Sequence, residues 1–205
     1  MIDGHKLYNV LLWITFYLSS YVLVSYLLRL FLHESIQQFD VVSDWFGHGA
    51  HGIGMSYMAL LMLGKIANLI SNHAWSTFFG LCTLAFAVRL VTGNFIKAWW
   101  EWVHLAMGVS MVYMFWNTSQ WLPVLTGIFC LGCLTLILYY SKEAFAGWEV
   151  SASKQRLTTF LSNSAHIAIG VAMIAMFVTM QWPQLFGIQG GCMHGMAMPA
   201  CPFGR

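Results

Sequence analysis

Six long stretches of the chain are dominated by hydrophobic residues, and shorter polar segments separate them. They cover residues 8–32, 49–70, 74–93, 99–117, 121–141 and 164–182. Each is close to the length of about 20 apolar residues that a helix needs to cross a lipid bilayer. The pattern therefore predicts an all-α integral membrane protein with six transmembrane helices.

The connections between these stretches alternate between long and short. The long ones cover residues 33–48, 94–98 and 142–163, and the short ones lie near 71–73 and 118–120. This alternation predicts three helical hairpins in one domain (1–186), a flexible tail (187–205), and both termini on the same side of the membrane. The mixed charge of residues 142–163 is consistent with a surface helix or with a plain loop.

Composition and charge support a membrane protein. Charged residues make up 8% of the chain and hydrophobic residues 59%, whereas about a quarter of a soluble domain is charged. The net charge of +2, without a basic run, excludes a nucleic-acid partner. Most of the Lys and Arg residues fall on the side of the long connections, which favours a cytoplasmic location for that side.

Methionine is confined to alternate helices of the predicted bundle. The second, fourth and sixth stretches contain three each, whereas the first, third and fifth contain none. These nine residues are Met55, Met58, Met62, Met107, Met111, Met114, Met173, Met176 and Met180. Within each helix they are three or four residues apart, a spacing that places them on one face.

A histidine precedes each set of methionines, and the pattern repeats along the chain. The segments HLAMGVSMVYMF (104–115) and HIAIGVAMIAMF (166–177) are identical at seven of twelve positions. His51 precedes Met58 by the same seven residues that separate His from Met in these segments. Because the three helices run in the same direction, the pseudo-repeat predicts three histidines at one depth. Methionines would follow about 10.5 Å further along the bundle.

This combination of side chains points to copper, because imidazole binds Cu well and thioether sulfur selects Cu(I). The candidate ligands are His48, His51, Met55, Met58, His104, Met107, Met111, Met114, His166, Met173 and Met176. Asp44 and Glu101 lie within side-chain reach of His48 and His104, and could orient these imidazoles. Packing alone is the alternative, since Met also fills gaps between membrane helices.

The tail contains a second group of soft ligands in the segment GGCMHGMAMPAC (190–201). Its candidate metal ligands are Cys192, Met193, His194, Met196, Met198 and Cys201. The alternative is a disordered tail, in which the two cysteines form a disulfide or remain free. Cys130 and Cys133 lie within an apolar stretch, and we expect them to act as small hydrophobic residues.

The two repeated segments resemble a family of uncharacterised bacterial, mostly actinobacterial, membrane proteins with repeated His-x-x-Met-x-x-x-Met-x-x-Met helices. The resemblance supports His51, His104, His166 and the methionines that follow each, and it implies location in the inner membrane of a bacterium. Ile169 departs from the pattern, because the fourth helix has Met107 at the equivalent position. The methionine rings are also similar to those of trimeric copper importers, by analogy of function alone.

The sequence thus favours a copper-handling membrane protein, which binds, transfers or transports Cu(I) and has no catalytic activity of its own. One alternative is an electron-transfer subunit with b-type haem between two histidines. Another is an accessory or metal-supplying subunit of a larger membrane redox enzyme, such as a copper monooxygenase or oxidase. The expected partners are the lipid bilayer, other membrane subunits and a copper chaperone.

Overall fold

A computed structural model describes residues 4–32, 45–92, 99–116, 123–147 and 153–186. Within these ranges the chain is helical except for residues 63–71, and it contains no strand. The helices are α1 (Gly4–Leu32), α2 (His51–Met62), α3 (Asn72–Thr92), α4 (Trp99–Trp116), α5 (Pro123–Gly147) and α6 (Ser153–Phe186). A π-helical segment (Trp45–Ala50) leads directly into α2. The all-α prediction is confirmed.

Four helices in the described part of the chain are long and apolar enough to cross a membrane. Their apolar portions are Lys6–Phe31, Asn72–Thr92, Val124–Phe145 and Thr159–Gln181. They belong to α1, α3, α5 and α6, and they fit a membrane protein. The apolar part of α4 (Trp102–Phe115) is shorter, and α2 has 12 residues beyond the π-helical segment.

Helix α6 occupies the centre of the structure. Its apolar portion is 67% buried, compared with 22–33% for α1, α3 and α5. It packs against α1 on one side and α5 on the other, while α1 also packs on α2 and α3 packs on α4. The outer helices therefore expose large aliphatic side chains such as Val24, Leu84 and Leu131, as expected for surfaces that face lipid.

Small polar side chains link α1 to its neighbours. The hydroxyls of Ser19 and Ser56 are 2.8 Å apart, and those of Tyr21 and Ser164 are 2.7 Å apart. Since lipid tails offer no hydrogen-bond partners, polar groups inside a membrane bundle must pair with each other or with the backbone. These pairs therefore fix α1 against both α2 and α6.

Helix α2 ends earlier than the hydrophobic pattern predicts. The predicted stretch continues to residue 70, but the helix stops at Met62 because Gly64 adopts a positive φ of 65°. The Lys65 N–H donates to Leu60 O and the Gly64 N–H donates to Leu61 O, which is the Schellman arrangement that closes helix C-termini. The glycine therefore ends the helix, although apolar residues follow it.

The segment 142–163 does not form a separate surface helix within the described residues. Residues 142–147 continue α5, and residues 153–163 form the first turns of α6. Both helices therefore extend beyond their apolar stretches, because the mixed-charge sequence between them contains good helix formers such as Lys142, Glu143 and Lys154. The prediction of an independent surface helix or loop is therefore wrong for residues 142–147 and 153–163, and residues 148–152 lie outside the described ranges.

Gly52 provides a test of the contact between α1 and α2. A Cβ atom at this position would lie 3.0 Å from the Ser19 carbonyl oxygen and 3.2 Å from Leu23, and the backbone of α1 cannot yield as a flexible side chain would. We expect Gly52→Val to destabilise the protein by about 1–3 kcal/mol, measured as a lower thermal unfolding midpoint in detergent. Gly80→Val is the matched control, because a Cβ there has open space. Equal midpoints for the two variants would contradict the packing described.

Candidate metal centre

The methionine-bearing faces of α2, α4 and α6 turn towards the interior. Eight of the nine methionines are at most 9% exposed, and they share one core cluster. Met62, at the end of α2, is partly buried and packs against the same cluster. The prediction that the three stripes face a common centre is therefore supported by the burial of their side chains.

Four histidines lie at one end of this sulfur-rich core, and each is at most 5% exposed. They are His48 in the π-helical segment, His51 at the start of α2, His104 in α4 and His166 in α6. Buried imidazoles are uncommon in apolar bundles because their nitrogen atoms need partners. Their concentration at one depth makes this end of the bundle the candidate site.

His166 is the central member of the imidazole cluster, which we define as His48, His104 and His166. Its Nε2 atom lies 3.3 Å from Nε2 of His104, and its Nδ1 atom lies 3.3 Å from Nε2 of His48. The His48 ring meets His166 edge to face, with centroids 4.3 Å apart. The two contacts use opposite edges of the His166 ring.

Two of the histidines use Nδ1 to reach a main-chain carbonyl. His166 Nδ1 lies 2.8 Å from Ser162 O, and His51 Nδ1 lies 2.6 Å from Phe46 O. A carbonyl oxygen can only accept, so each Nδ1 carries the proton and donates it. The neutral imidazole then has its lone pair on Nε2. For His51, this Nε2 atom is buried, and the backbone of Met107 lies close to the imidazole.

The π-helical segment explains why His48, rather than His51, contacts His166. The sequence pattern placed His51 in a ring with His104 and His166 on the assumption of a continuous α-helix. A π-helical turn accommodates an extra residue, so it changes the direction of the side chains before it relative to those that follow. His51 instead lies edge-on to the rings of Phe46 and Phe79.

Several residues that shape the cluster were not found from the sequence. Tyr140 of α5 stacks on His166 with ring centroids 4.0 Å apart. Gly47 leaves space for His104, because a Cβ atom there would lie 2.7 Å from the imidazole. The glycines on both sides of His48 were the available signal for a close helix contact, whereas nothing in the sequence linked Tyr140 to His166.

The imidazole cluster is not arranged as a ready metal site. Within the described ranges, no group of three or more His, Cys, Asp or Glu side chains could hold a metal ion. The reason is visible in His166, which presents different nitrogens to His48 and His104. Any single ion would therefore use two of these imidazoles at most, and would need sulfur or another ligand in addition.

Some predicted site residues fall outside the described structure. Asp44 and the tail candidates between Cys192 and Cys201 lie in segments that are not described, and of Glu101 only the helical backbone is. Their roles therefore stay predictions. Comparison of the chain with protein-family models, curated proteins and solved structures finds no match, so the family resemblance also stays a prediction.

Replacement of His166 tests the cluster directly. His166→Phe keeps an aromatic ring against Tyr140 but removes both nitrogens, so His48 and His104 each lose a partner. We expect destabilisation of about 1–3 kcal/mol, measured by thermal unfolding of the purified protein. His73→Phe is the control, since His73 is exposed and its replacement should change stability by less than about 0.5 kcal/mol. A stability loss no larger than the control's would argue against the hydrogen-bonded cluster.

Proposed function

We propose that the protein is an integral membrane copper protein, which holds Cu(I) with histidine nitrogen and methionine sulfur from α2, α4 and α6. The observation that carries this proposal is the pairing of His51 and His166 with main-chain carbonyls. Each leaves an Nε2 lone pair in the buried interior. Histidines that bind metals almost always donate their other N–H in this way.

The separation of two imidazoles also suits a metal ion. The Nε2 atoms of His104 and His166 are 3.3 Å apart. Two nitrogens bound to one tetrahedral ion, with metal–nitrogen bonds of about 2.0–2.1 Å, would be about 3.3–3.4 Å apart. An ion between them would replace the hydrogen bond without moving α4 or α6. A haem would have to force this pair of helices apart, so we favour an ion.

The remaining ligands would be methionine thioethers, and these ligands determine which metal the site prefers. Met107 follows His104 by one turn, Met55 follows His51 by one turn, and both are buried. Thioethers bind Cu(I) and are poor ligands for Zn²⁺, Mg²⁺ or Ca²⁺. We infer a role in copper binding, transfer or transport, with exchange through the tail to a chaperone or another membrane subunit, and no catalysis.

The proposal includes six membrane crossings arranged as three hairpins, α1–α2, α3–α4 and α5–α6, with both termini on one side. Helix α4 has 18 residues, as does the continuous stretch Trp45–Met62. At 1.5 Å per residue, 18 residues span about 27 Å, close to the hydrocarbon thickness of about 30 Å. Contacts within each of these helix pairs support the hairpins.

Replacement of Met by Leu separates metal ligation from packing, because Leu has no sulfur atom but fills a similar volume. The change costs less than about 1.5 kcal/mol of stability per site. We expect the double variant Met55→Leu, Met107→Leu to fold and to bind Cu(I) at least about tenfold more weakly. Loss of His104 and His166 together should weaken binding by about 100-fold or more. The measurement is an anaerobic competition titration of Cu(I) with a chromophoric chelator.

His73→Ala is the control for this titration, because the residue is exposed and far along the chain from the cluster. Elemental analysis of protein purified from its native membrane gives the metal content independently. If the wild-type protein competes no better than the double histidine variant, the copper proposal is wrong and the methionines serve packing.

Single cysteines in a cysteine-free variant test the number of crossings. With six crossings, a label at Ala67→Cys lies on the side of Asp3→Cys, and Asn94→Cys lies on the opposite side. With crossings by α1, α3, α5 and α6 alone, these two positions exchange sides. Labelling of right-side-out and inside-out vesicles with a membrane-impermeant maleimide measures the difference. The exchanged pattern would exclude six crossings.

A further inference from the structure

A cavity of about 570 Å³ lies between α4 and α5, beside the methionine core. Its rim is formed by exposed and largely apolar residues, among them Trp102, Ile128 and Gly132. Its floor is contributed by α6 through Met173. The opening therefore faces the outside of the bundle in the middle of apolar helices.

Three sulfur-bearing side chains line the inner part of this cavity, one from each helix. They are Met107 of α4, Cys133 of α5 and Met173 of α6. Each is at most 8% exposed, so the sulfur atoms belong to the buried end rather than to the rim. The sequence pattern assigned Cys133 to hydrophobic packing, because nothing in its spacing connected it to the methionines.

The backbone holds Cys133 close to α6 at this level. A Cβ atom at Gly170 would lie 3.4 Å from the Cys133 carbonyl oxygen and 2.8 Å from Ile137. A larger residue at 170 would thus require the Ile137 side chain to move, and it would contact the backbone of α5. Gly170 precedes Met173 by one turn, and so the close approach occurs where the two sulfur-bearing residues line the cavity.

The cavity is also in register with the imidazole cluster. On α6, Met173 follows His166 by seven residues, and on α5, Cys133 precedes Tyr140 by seven, which is about 10.5 Å along each helix. On α4, Met107 follows His104 by one turn. The same three helices that supply His104, Tyr140 and His166 therefore supply the sulfur atoms one to two turns further along the bundle.

We propose that this cavity is a second Cu(I) site, in which Met107, Cys133 and Met173 bind the ion after it leaves the imidazole cluster. The proposal rests on the copper function above and names the next binding position. Cu–S bonds form to two neutral thioethers and to the Cys133 sulfur, whose S–H bond breaks as the proton passes to an imidazole nitrogen that the departing ion vacates. The positive charge of Cu(I) replaces that of the departing proton, so the loaded site has no net charge.

Neutrality explains why a cysteine accompanies the methionines here. Three thioethers around Cu(I) would leave a net positive charge in an apolar region, where an uncompensated charge is costly. A thiolate cancels that charge, and it also binds Cu(I) more strongly than a thioether. Hydrated divalent cations bind weakly to sulfur ligands of this kind. The apolar rim also disfavours their entry from outside the bundle.

The test is performed on the full chain, with Cys192 and Cys201 replaced by Ala so that the tail contributes no thiolate. Two equivalents of Cu(I) are added anaerobically in competition with a chelator, and thiolate-to-copper charge transfer is followed in the near ultraviolet. We expect the second equivalent to produce this band. Cys133→Ala should abolish it and weaken binding of the second ion by at least tenfold, with the first ion unaffected.

The control variants are Cys82→Ala and Cys130→Ala, since both thiols are partly buried and neither lines the cavity. Both should keep the band and both affinities. Cys133→Ser keeps the size of the side chain but removes the thiol, and it should weaken the second ion alone, which guards against misfolding of the Cys133→Ala variant.

The outcomes separate the two proposals. If Cys133→Ala binds two ions as the parent does, the second site is wrong and the imidazole site stands. The same conclusion follows if the band persists in that variant. If the parent binds no Cu(I) at either step, the copper function itself is overturned.

Discussion

An imidazole buried in an apolar helix bundle must find its hydrogen-bond partners inside the protein, because lipid supplies none. Here the donors of His51 and His166 are satisfied by carbonyls of their own helical segments, Phe46 O and Ser162 O. Such local bonds fix each ring in one orientation and one tautomer. The Nε2 atoms are thereby directed away from the local backbone, and the site depends on this constraint.

Close helix packing brings the side chains of separate helices together at the site. Gly47 admits the His104 ring, and Gly54 admits Phe79 together with the end of Met111. Gly108 lies against Phe46 and Thr83. At each of these glycines a side chain of a neighbouring helical segment occupies the space that a Cβ atom would fill, as small residues allow in membrane bundles.

The hydrophobic pattern was sufficient to predict the helices and the inward direction of the methionines, because burial imposes the 3.6-residue period directly. It was insufficient where local backbone chemistry intervenes. Gly64 ends α2 within an apolar run, and the π-helical segment places His48, instead of His51, in the imidazole cluster. Contacts between distant segments, such as Tyr140 on His166, leave no signal in the spacing of either.

The membrane restricts which metal ligands a bundle of this kind can use. Among the described residues, the buried polar side chains include four histidines and one cation, Arg29, but no carboxylate. Neutral imidazoles and thioethers can line an apolar interior before any ion arrives, and a thiol can do so until it exchanges its proton for the ion. Under the proposed copper function, such a core would favour Cu(I), because hard cations need charged oxygen ligands. Methionine also fills gaps between helices, so the copper proposal depends on eight buried methionines lying beside four buried imidazoles, and not on the methionines alone.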